Sequence, residues 1–347
     1  MNDTLRAHPL QAYWRLAAAA VQTEALSAAL ALGVFEALRG LATPDELAAE
    51  LGLNARNTAH LLELLWGMGL LERAARPALD RIGGAERTYG LTETTRTYFL
   101  ASSPSWAGDT WHYRAARLRQ AAGLLEAQVR QGPQAEREDA AGQWSTAARR
   151  QLAQDQRAAT VPAAVEIVSR LPEFAAATRL LDLGGGPGWV AIELARQRDG
   201  LAGVVFDLPE VAAVAAENIA AAGLADRLSV IGGDLAVDGV GDGYDLVWCS
   251  SVLHFVPDAE AVLRRIMAAL RPGGALVCAH AEIGDEPDAA AEVLQFYLPM
   301  LMQGRHVGHR GDMAATLRRL GFGRIDGFAC ALFPLAPLQV VVGRKEA

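Results

Sequence analysis

The chain is nearly without lysine. Lys345 is the only one among 347 residues, and the rest of the basic complement is arginine. An anion held inside this protein therefore meets an arginine fork rather than a lysine point charge. Cysteine is scarce too: Cys249, Cys278 and Cys330 are too few and too scattered for a disulfide framework or a zinc ribbon. No apolar run reaches the ~20 residues that cross a bilayer, so no membrane partner is expected. The opening MNDTLRAHPLQAYWRL lacks the basic start, apolar core and cleavage site of a secretory signal, and a cytoplasmic location is the expectation. Positive charge is short as well. A net charge of −8 leaves no basic footprint for a general nucleic-acid binder. What is abundant is apolar: 51% hydrophobic content is enough for one large or two medium domains with their own cores.

Residues 11–40 have helical spacing, with Leu26, Leu30, Val34 and Leu38 at four-residue steps and Leu16 and Ala20 extending the pattern backwards. In TPDELAAELGLNARNTAHLLELLWGMGLLER, Thr43 and Glu46 predict a capping box, Gly52 a helix end, and Asn54 the cap of a second helix closed by Gly67 and Gly69. DRIGGAERTYGLTE predicts a short hairpin built on Gly83-Gly84. Helix, turn, helix, hairpin spells a winged helix. A DNA-binding regulator is the remote alternative this raises. The recognition-helix candidate, however, carries a single arginine before turning apolar, where a major-groove reader shows several polar side chains. A helical platform for self-association fits better, and His60 within it is read as structural. Segments 104–132 and 145–170 are again helical, separated by the polar QGPQAEREDAAGQ. From about residue 178, short apolar strands alternate with alanine-rich helices, the pattern of a parallel α/β sheet. The expected domains are 1–165, helical and winged-helix, and 166–347, α/β.

The stretch LLDLGGGPGWVAIELA reads as strand, glycine turn, helix. Glycines let the backbone bend sharply at the strand's end and approach a ligand closely. The helix amino terminus adds unpaired N–H groups and a positive dipole end. Asp182 just before the turn would repel a pyrophosphate but suits a ligand carrying an ammonium group. Asp207 ends the next strand, placed to hydrogen-bond both ribose hydroxyls. Asp234, beside Gly232-Gly233, follows a third strand and can accept from an adenine amino group. Each aspartate alone could be a surface strand-end cap. Together they describe an adenosine site with a cationic neighbour, which fits S-adenosylmethionine (SAM) rather than a dinucleotide. Gly184, Gly186, Leu208, Gly233, Leu235 and Ser250 complete the expected cofactor set.

LLDLGGGPG, VVFDLPEV, DRLSVIGGDL, YDLVWCSSVLHFVPD, ALRPGGALVCAHAEI and LGFGRI resemble the successive motifs of class I SAM-dependent methyltransferases. More narrowly, the chain resembles small-molecule O-methyltransferases such as the plant caffeate and acetylserotonin enzymes and their bacterial antibiotic-pathway relatives. The resemblance implies an α/β Rossmann-like methyltransferase domain preceded by an all-α, winged-helix dimerisation domain. It also implies a small-molecule substrate and a homodimer joined through the amino-terminal helices.

His254 lies just past a strand, in the crevice where such sheets bind ligands. A neutral imidazole there can take the proton of a substrate hydroxyl, and the resemblance gives the matching histidine that role. A histidine merely packing at a strand end is the plainer alternative. The family continues that motif with Asp-Trp, whereas this chain has Phe255-Val256. The family's supporting acidic residues also depart: one slot falls on His280, with Glu282 two residues on, and the other near His306 and Val307. Two readings are open. In one, His254 is the base of an O-methyl transfer and Glu282 orients or neutralises it. In the other, His254, His306, His280 and His309 are candidate ligands of a divalent metal, with Glu282, for carbon methylation of a 2-oxo acid. Arg305 and Arg310 flank the same segment, and Trp111, His112 and Arg114 come from a helix expected to line the pocket. These arginines favour an acidic substrate; solvated arginines, or pairs with Asp312, are the alternative.

Overall fold

The computed structural model describes residues 8–77, 85–133 and 140–346. The Gly83-Gly84 turn lies outside the described residues, as does part of the polar segment 131–143. The chain divides into two compact units, Met1–Ala115 and Ala116–Ala347.

The first unit opens with a helix, Gln11–Ala31. The periodicity over 11–40 promised one longer helix, but Gly33 adopts a left-handed φ of 73° and the chain restarts as Val34–Ala37. Glycine alone enters that region without a Cβ penalty, so the apolar spacing survives a break in the helix. The capping box forms as expected: Thr43 Oγ1 accepts from Glu46 N, and the Glu46 carboxylate accepts from Thr43 N at 2.7 Å. It starts helix Pro44–Leu51, and Asn54 caps helix Ala55–Gly67. Strands β1 (Leu71–Pro77) and β2 (Ala85–Leu91) then pair antiparallel, completing the winged-helix order. Phe35, Leu38, Leu47, Leu62, Leu65 and Tyr89 form its core. The first helix leaves Tyr13, Trp14 and Leu16 about 70% exposed (68%, 71% and 73%).

The second unit carries a seven-stranded sheet. Its strands are β3 (Arg179–Leu183), β4 (Ala202–Asp207), β5 (Leu228–Gly232), β6 (Tyr244–Ser250), β7 (Leu270–His280), β8 (Ile325–Cys330) and β9 (Leu338–Arg344). Their order is β5-β4-β3-β6-β7-β9-β8. The first five are parallel; β9 runs antiparallel to β7 and β8 antiparallel to β9. Strand order reverses between β3 and β6, the switch point at which such sheets open a crevice at their carboxyl ends.

Helical chain over 140–168 belongs with this sheet. Ala163, Ala164, Ile167 and Val168 share a core with Leu180 and Val277. The units therefore part earlier than the expected 165/166 boundary, because periodic apolar residues mark a buried helix face without saying which core receives it. The opposite face of the sheet packs Leu181, Val247 and Leu276 against Leu263, Ile266 and Leu317 of the flanking helices.

Candidate functional site

The glycine turn links β3 to helix Trp189–Gln197. Asp182 is buried beneath it, and its Oδ2 accepts from Ala191 N at 3.2 Å. A side-chain carbon on Gly185 would lie 2.7 Å from the Asp182 carboxyl carbon, so only glycine lets the turn lie flat on this carboxylate. Asp182 thus acts as a strut between strand and helix. Burial pushes its carboxyl up to about 7, and the nearby charge of Asp207 adds to the rise.

Asp207 stands at the end of β4. Its Oδ2 accepts from Gly186 N at 2.8 Å and its Oδ1 from Leu208 N at 2.8 Å. Gly186 turns its N–H onto the carboxylate from a left-handed φ of 56°. Burial raises the Asp207 pKa while the two amides pull it back. Each oxygen keeps a further acceptor site, which suits a pair of vicinal hydroxyls. Asp234, past β5, is exposed; its Oδ1 accepts from Ala236 N, and Gly233 N donates to Asp207 O, tying the two strand ends together. Leu235 turns into the core, whereas Leu208 and Ser250 stay half-buried near the crevice. These acceptors and the close-packed glycine turn fit an adenosine ligand.

The turn after β6 closes the crevice from the other side. Ser251 holds a left-handed φ of 52°, uncommon without glycine and typical of functional loops. Val252 packs over Gly184, leaving no room there for a side chain. His254 comes next in a short 3-10 turn, Leu253–Phe255. Its ring lies 5.8 Å from that of Tyr297, centroid to centroid, and 4.3 Å from that of Phe255. Burial, reinforced by the positive charge of Arg305, pushes the His254 pKa down to about 4. The imidazole is uncharged at neutral pH. A cleft of about 290 Å³ opens beside it, lined by His254, Val256, Pro257, Arg305 and His306.

His280 anchors this turn. Its Nε2 accepts from Val252 N at 3.3 Å and Leu253 N at 3.2 Å, and Ser251 N donates to Ala279 O. Only an uncharged imidazole can accept there, and burial, with His254 second, pushes its pKa down to about 3. Opposite pH responses are expected from this pair of buried groups. His280 has a folded pKa below its ordinary value, so its contribution is complete above about 6.5 and is lost as pH falls through 3. Asp182 has the reverse sign: its contribution is complete below about 3.9 and is lost as pH rises through 7. Urea unfolding should show the stability advantage of wild type over His280→Gln shrinking in acid. Asp182→Asn should gain on wild type as pH rises from about 4 to 7; parallel pH profiles would refute both assignments.

Glu282 bonds two backbone amides, and among the described residues no hydrogen bond joins it to His254. Its Oε2 accepts from Gly311 N at 2.8 Å and its Oε1 from Met313 N at 2.9 Å, at the amino terminus of helix Asp312–Arg319. Both oxygens accept from orphan helix N–H groups, so the carboxylate caps this helix. Glu282→Ala should therefore cost about 1 kcal/mol and lower Tm by roughly 2–4 °C. A calorimetric scan that finds Tm unchanged would remove the cap assignment. The segment after it is stitched to the end of β7: Ile283 N donates to Gly308 O and Arg310 N to Ile283 O. Arg305 reaches back to Phe255 O at 2.9 Å.

The candidate metal ligands are brought together only in part: His254 and His306 line one cleft, and the His254 ring lies 6.5 Å from that of His280, centroid to centroid. His306 and His309 are exposed, Arg310 likewise, and the Nε2 lone pair of His280 is already engaged. Among the described residues, the only grouping of three or more possible ligands is Cys249, Cys278 and His280, all buried. A metal set of His254, His280, His306 and His309 does not fit this arrangement. Trp111, His112 and Arg114 lie on helix Gly108–Gln131 in the first unit, where Trp111 Nε1 donates to Ser27 Oγ and His112 is exposed.

Comparison with known proteins shows the family. The O-methyltransferase domain matches residues 142–322, and the O-methyltransferase dimerisation domain matches 14–101. The chain belongs to the O-methyltransferase family. It is 29% identical over 291 residues to the 3-hydroxy-5-methyl-1-naphthoate 3-O-methyltransferase of Streptomyces sahachiroi, covering 81% of this chain and 80% of that one. It is also 29% identical over 303 residues to the acetylserotonin O-methyltransferase of Bos taurus, covering 81% and 83%. Human N-acetylserotonin methyltransferase, solved in complex with SAM, shares the fold with a TM-score of 0.74 at 22% identity over the whole of both chains. This O-methyltransferase-family chain is thus a SAM-dependent enzyme with an amino-terminal dimerisation domain. No helix among its described residues is long and apolar enough to cross a membrane.

Two features of the methyltransferase have no signal in the sequence. Trp144 stacks edge-on against Phe255 at 5.0 Å, and Gln156 bonds the glycine turn. Both come from a helical segment whose contacts depend on how it docks, which spacing alone does not report.

Proposed function

We propose that this methyltransferase transfers a methyl group to the hydroxyl of a small acidic metabolite, with His254 receiving the hydroxyl proton. The observation that carries the reading is the uncharged imidazole at the cleft, with Arg305 beside it. SAM supplies the electrophilic methyl group when bound. Asp207, Asp234 and the glycine turn hold its nucleoside, and most of the rate enhancement is alignment of the acceptor in the cleft. His254 is ready to accept a proton at neutral pH, but a base this weak works best on a hydroxyl whose own pKa is low. Arg305 adds positive charge next to where an oxyanion develops. The Streptomyces relative's named substrate, a hydroxynaphthoate, carries both a hydroxyl and a carboxylate, which agrees with this chemistry. The homodimer is part of the same reading: the apolar face of helix Gln11–Ala31, with Tyr13, Trp14 and Leu16 exposed, is suited to a second copy.

The test is turnover of hydroxylated aromatic carboxylates, hydroxynaphthoates first, with SAM and no added metal. The expected product carries one new O-methyl group by mass spectrometry and NMR. A carbon-bound methyl, or turnover that requires a transition metal, would favour the 2-oxo acid alternative instead.

A further inference from the structure

The glycine turn is gripped by a side chain outside all of the strand-end motifs. Gln156 Nε2 donates to Gly185 O at 2.9 Å, and Gln156 Oε1 accepts from Trp189 N at 3.1 Å. One planar amide therefore joins a carbonyl inside the turn to the first N–H of helix Trp189–Gln197, a donor with no intrahelical partner. The fit is close: a side-chain carbon on Gly186 would fall 3.3 Å from Gln156 Nε2. Gly186 is also the residue whose N–H meets Asp207. Gln156 and Asp207 thus hold the two ends of one peptide group, Gly185 C=O and Gly186 N–H.

The backbone that delivers this amide is unusual. Residues Ala148–Leu152 and Gln156–Thr160 are π-helical, separated by Ala153–Asp155 in α-conformation. A π turn holds one residue more than an α turn, so it rotates the helix on its amino-terminal side by about 100° relative to the helix beyond it. The helix beyond is Val161–Val168, fixed by its buried residues in the sheet's core. Gln156 opens the second π turn, and its side chain leaves this widened helix toward the glycine turn rather than along the anchored face. Wide turns of this kind persist mostly where a site needs them.

We propose that Gln156 is a positioning residue for the cofactor: its amide fixes the shape of the turn Gly184–Gly188, so that the Gly186 amide and the Asp207 carboxylate stand ready for the nucleoside. It acts through the turn: its amide gives Trp189 N an acceptor that the helix lacks, and adds a second donor to Gly185 O, which already accepts from Gly188 N.

The test is titration calorimetry of the full chain with S-adenosylhomocysteine, for wild type, Gln156→Met and Gln156→Glu. Methionine keeps the volume and loses both hydrogen bonds. Its dissociation constant should rise about tenfold or more, the equivalent of two neutral hydrogen bonds. Glutamate is near-isosteric and still accepts from Trp189 N, but above neutral pH it turns an acceptor toward Gly185 O. A space-filling residue would tolerate that change; the proposal requires a comparable loss. Amide hydrogen exchange at Trp189 should accelerate in Gln156→Met, which loses its acceptor, while the melting temperatures of both variants stay near wild type. Wild-type affinity in both variants would overturn the proposal. So would weakened affinity in Gln156→Met with Trp189 exchange unchanged, since the effect would then bypass the turn.

Discussion

Asp207→Ala is expected to lower the affinity for SAM by about two to four orders of magnitude. The carboxylate at the end of β4 does two things at once. It accepts from Gly186 N and Leu208 N, which sets the turn, and it keeps acceptor sites for two hydroxyls of a ribose. Each hydrogen bond to a charged acceptor contributes roughly 1.5–3 kcal/mol, and a pair of them converts to that loss. Burial raises the pKa of this group, yet the two amide donors hold against it. Alanine removes the acceptor and releases the amides together. Titration calorimetry reads the result directly, and affinity within a few-fold of wild type would show that the nucleoside is held elsewhere.

His254→Ala is expected to reduce kcat by about 10² to 10⁴, the usual range for removing a positioned general base. SAM affinity should stay close to wild type, because the ring emerges from the turn after β6 while the nucleoside acceptors stand at β4 and β5. The pH profile adds a second check. With a pKa of about 4, the imidazole is already deprotonated throughout the neutral range. The rate should therefore show no inflection from His254 near 6.5, where an ordinary histidine titrates. A clear loss of kcat at that pH, absent from the alanine variant, would mean the ring is more solvated than its packing implies. Full activity in the variant would remove the base assignment.

Much of this molecule can be read from the chain. Thr43 with Glu46, Asn54 and the strand–turn–helix at 179–197 announce themselves through local chemistry, since caps and glycine turns are decided by residues near in sequence. Although burial against Ala191 N makes Asp182 a strut where the sequence suggests a partner for a ligand's ammonium group, the positions of Asp182, Asp207 and Asp234 at successive strand ends are legible because a parallel sheet places those ends on one rim. The supporting residues are not. Glu282 has the residue type and spacing of a partner for His254, and its capping role appears only once Gly311 and Met313 fold back over β7. His280 looks like a metal ligand in sequence, and nothing local shows that two amides twenty-seven and twenty-eight residues away take its lone pair. Helical chain 140–168 falls on the other side of the expected boundary for the same reason: which core an amphipathic helix joins is a long-range choice.

The reversal of strand order between β3 and β6 has a consequence for how such an enzyme diversifies. Everything expected to hold the nucleoside hangs from β3, β4 and β5, whereas His254, its anchor His280 and the arm bearing Arg305 and His306 hang from β6 and β7. The two inventories meet only across one crevice. Insertions and substitutions in the arm can re-sculpt what the cleft accepts while the donor's berth stays intact, so one scaffold can be retuned to new acceptors without relearning its shared reagent.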